Sequence, residues 1–371
     1  MSKKGQKQVR RSWDFVWLIA LLPAALALQY VCAKAPDNVE SIYSRGIYPI
    51  ISEVVSLIFG YIPFPAAEAI LALLIVVLIA AVIRRIYRTF RYGPAEIVRG
   101  LLRIMSFAAL MYFLFVVLWG LNYERVPLET TLGLSVSTPT KTELASAMDK
   151  EIASVNALCP SIAYSKAGTS TYEGGFAGMK DQVNEGFDRL SAPLTVGDRY
   201  LAHTRSHPKS IYLSQYMSYT GIEGIFIPYT CEPCIVTDYP ECVLPFTISH
   251  ETAHLKGYAR EDEANYLAYL ACNANPDVYY QYSGHLNALT YLSDALYATD
   301  ASLWRQETSR LDRRAAADVN AYYKYLRDHQ GKAQDAANKI NDSYLKSQGQ
   351  SGVVSYDRFV TLLCAQYKKA S

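Results

Sequence analysis

The chain has 371 residues, of which 51% are hydrophobic and 19% charged, and its net charge is +2. This apolar share is heavy for a soluble protein, and the excess is concentrated near the N-terminus. Residues 1–103 carry 13 basic and 6 acidic side chains, which leaves 23 basic and 28 acidic side chains for residues 104–371. The second part is therefore mildly acidic and has no basic stripe, so nucleic acid is not an expected partner.

Three largely apolar stretches predict helices that cross a membrane, which takes about 20 mainly apolar residues each. They lie at about residues 14–33, 66–83 and 104–121, and Trp119 closes the third at an expected membrane interface. Pro36 follows a segment that resembles a signal-peptidase site, so the first stretch is predicted to be an uncleaved anchor. A buried core helix is the alternative for each stretch.

Residues 46–64 form a further apolar segment, interrupted by two prolines and Glu53. With three spans, both basic clusters of the N-terminal part face the cytoplasm, whereas a fourth span would separate them. We therefore expect 46–64 to be interfacial or re-entrant on the outer side. Residues 1–121 then form a multi-pass membrane domain with a cytoplasmic N-terminus and lipid as its partner, and residues 122–371 lie outside. The clusters are Lys3, Lys4, Lys7, Arg10 and Arg11, and Arg84, Arg85, Arg88, Arg91, Arg99 and Arg103.

The outer part is predicted to be mainly α-helical with a small β-sheet, an α+β fold. A capping box, Thr140 with Glu143, opens its first helix. The best strand candidate is Gly224–Tyr229, with a second near 235–237. Helical periodicity covers Met179–Leu190, Pro245–Tyr258, Arg260–Asn273, Val278–Tyr297, Ser302–His329, Lys332–Ser347 and Tyr356–Lys368.

The strongest chemical signal is His250-Glu251-Thr252-Ala253-His254. Two histidines four residues apart share one face of a helix, so both imidazoles can bind one Zn²⁺. Glu251, beside the first histidine, can take a proton from the attacking water. The alternative is an ordinary amphipathic helix that contains two histidines.

A catalytic zinc also needs a third protein ligand. Arg260 occupies the position of the third histidine in HExxHxxGxxH, and a permanently charged guanidinium cannot coordinate a metal. Glu261 is predicted as the ligand because it shares a helical face with Asn265 and with small residues. Glu263, on a different face, is the runner-up. Asn265 either holds a histidine ring or is an ordinary polar residue.

The two motifs together resemble the gluzincin metallopeptidases, in which a downstream Glu-x-x-Ala-Asp completes HExxH. Here Asn265 stands in place of that aspartate, and Glu261 follows His254 by seven residues, whereas most gluzincins have tens. This spacing resembles more closely an uncharacterised bacterial family of three-span membrane proteins known only as a domain of unknown function. The resemblance implies a zincin-like fold, in which an edge strand such as Gly224–Tyr229 pairs with a peptide substrate; a structural hairpin is the alternative. The resemblance to the family of unknown function rests on residues 120–128, 217–221, 245–247, Arg260 to Cys272, and 341–346.

Seven cysteines are present, and Cys32 belongs to the first span. Cys231 and Cys234 form a CxxC segment, for which a local disulfide is the favoured interpretation over a redox pair or half a zinc site. Cys272 is interpreted as a buried small residue.

Four further histidines lie outside the motif. His203 and His207 are predicted to be surface residues. His285 or Tyr219 is a candidate to stabilise an oxyanion, although packing is the default role for Tyr219.

The prediction is therefore a membrane-anchored zinc metallopeptidase that acts on peptides or proteins of the cell envelope. His250, His254 and Glu261 hold Zn²⁺, and Glu251 is the general base. The alternative is a non-catalytic membrane protein with a structural zinc or an envelope-binding outer domain. The intact Glu251 argues against it, because a structural zinc needs no base there.

Overall fold

The computed structural model describes residues 15–192, 199–350 and 358–369. Over these residues the protein is mainly helical with two small sheets, so the expected mainly α fold class is confirmed. The first basic cluster, the first residue of the 14–33 stretch and Tyr356 of the last predicted helix lie outside the described residues.

Four helical segments are long and apolar enough to cross a membrane. Helix α1, Leu21–Ala33, continues a 3₁₀ turn at Val16–Ala20, and the second segment runs Pro36–Phe59. The third and fourth are α3, Ala66–Tyr92, and α4, Ala95–Leu118. The three expected spans fall on α1, α3 and α4.

Helix α4 begins nine residues before the expected start of the third span, and Glu96 gives the reason. Its buried carboxylate accepts hydrogen bonds from Arg85 at 2.6 Å and from Arg88 at 2.8 Å, and it also pairs with Arg99. These charge-assisted hydrogen bonds join the start of α4 to the end of α3 and stabilise the helical conformation of the charged residues there.

The segment Pro36–Phe59, called the amphipathic helix below, consists of Pro36–Asn38, a π-helical stretch at Val39–Ile47 and α2, Tyr48–Phe59. A stripe of its side chains at four-residue spacing contacts the outer part of the chain along the whole helix. Its opposite face is apolar and exposed. In this stripe, Glu40 bonds Arg125, Ser44 bonds Asn122, and Tyr48 bonds the Leu255 carbonyl. Further along, Ser52 bonds Thr204 and Ser56 bonds the Arg205 carbonyl. The exposed residues are Ile42, Ile50, Val54, Leu57 and Ile58.

Glu40 and Arg125 form the buried ion pair of this contact, with two hydrogen bonds of 2.8 and 2.7 Å. We expect Glu40→Gln to lower the free energy of unfolding by about 3–5 kcal/mol, because it leaves the Arg125 charge buried without a counter-charge. Asp149→Asn, which breaks an exposed pair with Arg310, is the control and costs at most about 1 kcal/mol. Thermal unfolding in detergent measures both, and equal effects would contradict the assignment.

The outer part contains most of the described helices. Its labelled helices are α5 Lys141–Leu158, α6 Gly175–Leu190, α7 Leu244–Leu255, α8 Glu261–Ala274, α9 Val278–Thr299, α10 Ala301–Thr308, α11 Arg313–Asp328, α12 Lys332–Ser347 and α13 Arg358–Lys369. Single-turn helices lie at Leu128–Thr131 and Ser214–Met217. The predicted capping box at Thr140 and Glu143 is confirmed. The helix expected over Ser302–His329 is wrong as a single element: it divides into α10 and α11, and the Asp312 side chain caps α11 by accepting from Arg314 N.

The strands are β1 Ala163–Tyr164, β2 Ser170–Thr171, β3 Lys209–Ser210, β4 Gly224–Ile227 and β5 Glu232–Ile235. Strands β1 and β2 pair by themselves, and the other sheet has the order β3-β5-β4. Strands β4 and β5 form an antiparallel hairpin, and β3 is parallel to β5. The predicted strand at Gly224–Tyr229 is thus the edge strand β4. The second prediction, 235–237, is wrong in position because β5 already ends at Ile235.

The predicted disulfide between Cys231 and Cys234 is wrong, since all seven cysteines are free. The two residues point into different cores: Cys231 packs with Trp119 and Phe226, whereas Cys234 packs with the main core of the outer part. Cys272 is fully buried, as expected.

Candidate metal centre

Helix α7 carries the HExxH motif through the centre of the outer part. Pro245 lies in its first turn, where the missing N–H costs no hydrogen bond. Gly257 follows its C-terminus with φ of +86°, a conformation that favours glycine, and a Cβ there would lie 2.9 Å from the Tyr48 ring. This turn returns the chain so that α8 begins beside the two histidines.

The structure brings the three predicted ligands together. The Nε2 atoms of His250 and His254 lie 3.1 Å apart, and Glu261 Oε2 lies 3.2 Å from the first and 3.6 Å from the second. Ligand atoms at about 2.0–2.1 Å from a tetrahedral zinc are roughly 3.3 Å from one another. The three atoms therefore have the spacing of one face of a tetrahedral zinc site.

Both histidine rings are oriented through their other nitrogen. Asn265 Oδ1 lies 2.7 Å from His250 Nδ1, and the Tyr258 carbonyl lies 2.7 Å from His254 Nδ1. In a neutral ring, an acceptor at Nδ1 places the single proton there and leaves Nε2 free to bind a metal. Of the two interpretations of Asn265, the contact supports the one in which it holds a histidine ring.

Because Asn265 only orients a ligand, we expect Asn265→Ala to weaken zinc affinity roughly 10- to 100-fold without abolishing binding. Asn287→Ala is a matched control, since this buried amide bonds the backbone of its own helix at Ser283. Competition titration with a zinc-binding dye measures both variants. Equal affinities would contradict the positioning role.

The carboxylate of Glu263, the runner-up ligand, bonds other residues instead of joining the cluster. Its carboxylate accepts from Arg260 Nη1 at 2.8 Å and from the Leu128 N–H at 2.8 Å. Arg260 also donates to the carbonyls of Tyr123 and Arg125. Both side chains therefore connect the start of α8 to the segment that follows α4, residues 123–128.

Glu251 lies buried beside the three ligands and against β4. A Cβ at Gly224 would lie only 2.6 Å from Glu251 Oε1, so glycine lets the strand pass the carboxylate. Its Oε2 atom is buried and has no hydrogen-bond partner among the described residues. Burial raises the pKa of Glu251 above its usual range, and the nearby Glu261 and Glu223 carboxylates add to the effect. Such a carboxylate is suited to accept and return a proton.

In the metal-free site, the charges of the histidine rings and of Glu261 shift the pKa values of His254 and Glu261. Although burial opposes it, the Glu261 carboxylate raises the pKa of His254 to about 9. Burial likewise opposes ionisation of Glu261, but His254 and His250 hold the pKa of Glu261 below its usual range. The anionic carboxylate and the two rings thus form a site that accepts positive charge at neutral pH.

Side chains from the membrane domain lie directly beneath α7. Trp119 Nε1 donates to the His254 carbonyl at 3.1 Å, and the Tyr48 hydroxyl donates to the Leu255 carbonyl at 2.9 Å. Trp119, expected at a membrane interface, has a side chain that is only 4% exposed and packs beside His254, so it is covered by protein. The sequence shows these residues only as apolar or aromatic positions near a span, so their role was missed.

A second carboxylate near the site was also missed. Glu223 is half-buried and accepts from Tyr322 at 2.7 Å and Thr247 at 3.0 Å, and burial raises its pKa. Burial also raises the pKa of the Tyr291 hydroxyl, with contributions from Glu223 and Glu261. A glutamate immediately before Gly224 was the available sequence signal.

The other predicted candidates lie elsewhere. His285 bonds Glu151 at 2.6 Å, and Tyr219 packs against the His329 ring. Neither forms a hydrogen bond with a predicted ligand. His203 is exposed as expected, whereas His207 is half-buried against Tyr61.

Comparison with known proteins identifies one family. Residues 43–364 match the family model described as "Protein of unknown function (DUF3810)". The chain belongs to this family. No curated protein and no solved structure matches it.

The DUF3810 match includes α3, α4 and most of the amphipathic helix, as well as the three residues of the candidate metal centre. The predicted membership of a family of unknown function is therefore confirmed, while the gluzincin resemblance stays a prediction.

Proposed function

We propose that this DUF3810 protein is a membrane-bound zinc metallopeptidase with a zincin-like outer domain outside the cytoplasm. Its substrates in this proposal are peptides or proteins of the cell envelope. One observation carries it: a buried carboxylate oxygen of Glu251 has no partner beside three ligand atoms spaced for a tetrahedral metal. This arrangement contains both a ligand set and a base.

In the proposed reaction, His250, His254 and Glu261 hold the zinc ion. When bound, zinc supplies a Lewis acid that polarises the scissile carbonyl and acidifies water. Glu251 takes a proton from the attacking water as the new C–O bond forms, and returns it to the leaving amine as the C–N bond breaks.

The rival proposal, a structural zinc, is less well supported. Structural zinc sites are closed by four protein ligands. In the described part of the chain, the cluster has three members, and its histidine and glutamate atoms lie on one side of the position that a metal would take. A fourth position available to water is what a catalytic site requires.

Metal removal tests the proposal directly. We expect purified full-length protein in detergent to cleave a mixed fluorogenic peptide library, to lose this activity with 1,10-phenanthroline, and to regain it when zinc is restored. Magnesium is the control addition, since an N₂O site favours zinc over a hard oxygen-seeking cation. Activity that persists after complete metal removal would contradict the proposal.

A further inference from the structure

The path of β4 connects the candidate catalytic base to the membrane domain. Gly224, at its start, packs against Glu251. Phe226, in its middle, packs against Trp119 and lies near the His254 ring. Beyond its end, the Tyr229 hydroxyl donates to the Met111 carbonyl at 3.0 Å. Helix α7 and β4 therefore run side by side toward α4.

Met111 belongs to the apolar part of α4, seven residues before the helix ends at Leu118. At 1.5 Å per residue, the Tyr229 contact lies roughly 10 Å below the outer end of that helix. Of the six residues from Gly224 to Tyr229, the four of β4 cover about 10 Å of extended chain, and the last two lie in the turn that follows it. Strand β4 and the start of the turn after it thus connect the candidate base Glu251 to the contact with α4 at Met111.

The amphipathic helix places the bilayer surface close to the same site. Its polar stripe contacts the outer part from Glu40 to Ser56, so the helix lies along that part instead of crossing away from it. Its apolar face, opposite the stripe, is continuous with the spans on either side and is suited to the outer leaflet. Because Tyr48 of this helix bonds the end of α7, lipid against the exposed apolar face would begin about one helix diameter, roughly 10 Å, from α7.

Strand β4 is also available for pairing. It is the edge of its sheet in the described part of the chain, and Ile225 is exposed. An edge strand binds an extended peptide through backbone hydrogen bonds, whatever the peptide's sequence. A segment paired along β4 would have one end at Glu251 and the other near Met111 of α4.

We propose that the substrate is a membrane-tethered polypeptide, bound along β4 as an extended segment and cleaved within roughly ten residues of the point where it leaves the bilayer. The inference rests on the proposed peptidase function and narrows its substrate class to the membrane-proximal segments of anchored chains.

The test uses full-length protein in phosphatidylcholine vesicles with one designed substrate set. Each substrate has a constant Leu/Ala span of about 20 residues followed by a randomised segment of about 40 residues. Cut positions are mapped by mass spectrometry. In parallel, the Glu251→Gln variant carries a photo-cross-linking residue at Ile225 on β4, or at the exposed control position Tyr297 on α9. The cross-linked substrate residues are then identified.

We expect at least a tenfold higher cut frequency per bond in the ten residues nearest the span, and cross-links from Ile225, but not from Tyr297, to the same residues. Cuts spread evenly over the segment would overturn the tethered-substrate inference while leaving the peptidase function in place. The absence of any cut would contradict the peptidase function. In that case, cross-links confined to the membrane-proximal residues support tethered binding, and their absence overturns it.

Discussion

Replacing Glu251 with glutamine is expected to lower the rate of peptide hydrolysis by roughly 10²- to 10⁴-fold, the usual contribution of a general base. The amide has nearly the same shape as the carboxylate, so it keeps the packing against Gly224. It cannot accept the proton of the attacking water. Zinc content should remain that of the wild type, because Glu251 is not one of the three clustered ligands.

The measurement combines initial rates on a peptide library with zinc analysis of the same samples. Glu185→Gln, which makes the same chemical change on the exposed face of α6, is the matched control and should leave both values unchanged. Wild-type activity in Glu251→Gln would remove Glu251 from the mechanism. Loss of zinc together with activity would instead indicate a structural role.

Replacing Glu261 with alanine is expected to abolish zinc binding at micromolar metal. The change deletes one of three ligands and also the negative charge that favours a cation between His250 and His254. The loss of affinity should exceed the roughly 10- to 100-fold expected for a residue that merely orients a ligand, such as Asn265. The amount of zinc bound per chain after gel filtration measures this loss of affinity.

Glu263→Ala is the matched control, two residues along the same helix. It removes the partner of Arg260 and of the Leu128 N–H, so we expect a lower melting temperature with wild-type zinc content. Glu261→Ala should show the opposite pattern, with metal lost and the fold kept. Full zinc occupancy in Glu261→Ala would refute this ligand assignment.

The parts of the site that were predictable are local in sequence. His250 and His254 share a helical face because of their spacing, and helical phase distinguished Glu261 from Glu263 as the residue that faces them. A single turn, closed at Gly257, then brings the third ligand back, so seven residues of chain were enough to define the cluster.

The surroundings were not predictable because they depend on contacts between distant parts of the chain. Trp119 and His254 are 135 positions apart, and Tyr48 and Leu255 are 207 apart. The polar stripe of the amphipathic helix is a second example: hydropathy reports its apolar face, whereas the partners of Glu40 and Ser52 become visible only in three dimensions. The disulfide prediction for the CxxC segment was wrong for the same reason, because its two thiols lie in different hydrophobic cores.

The hydrogen bonds from Trp119 and Tyr48 to the carbonyls at the end of α7 bear on how the protein can be handled. A fragment that starts at residue 122 would lose both donors and leave an apolar underside around Phe226, Leu255 and Ala259 without its cover. Uncovered, that surface would promote aggregation of the fragment. Recombinant work on this protein is therefore best begun with the complete chain in micelles or nanodiscs, with assays and crystallisation trials designed around the lipid-bearing particle.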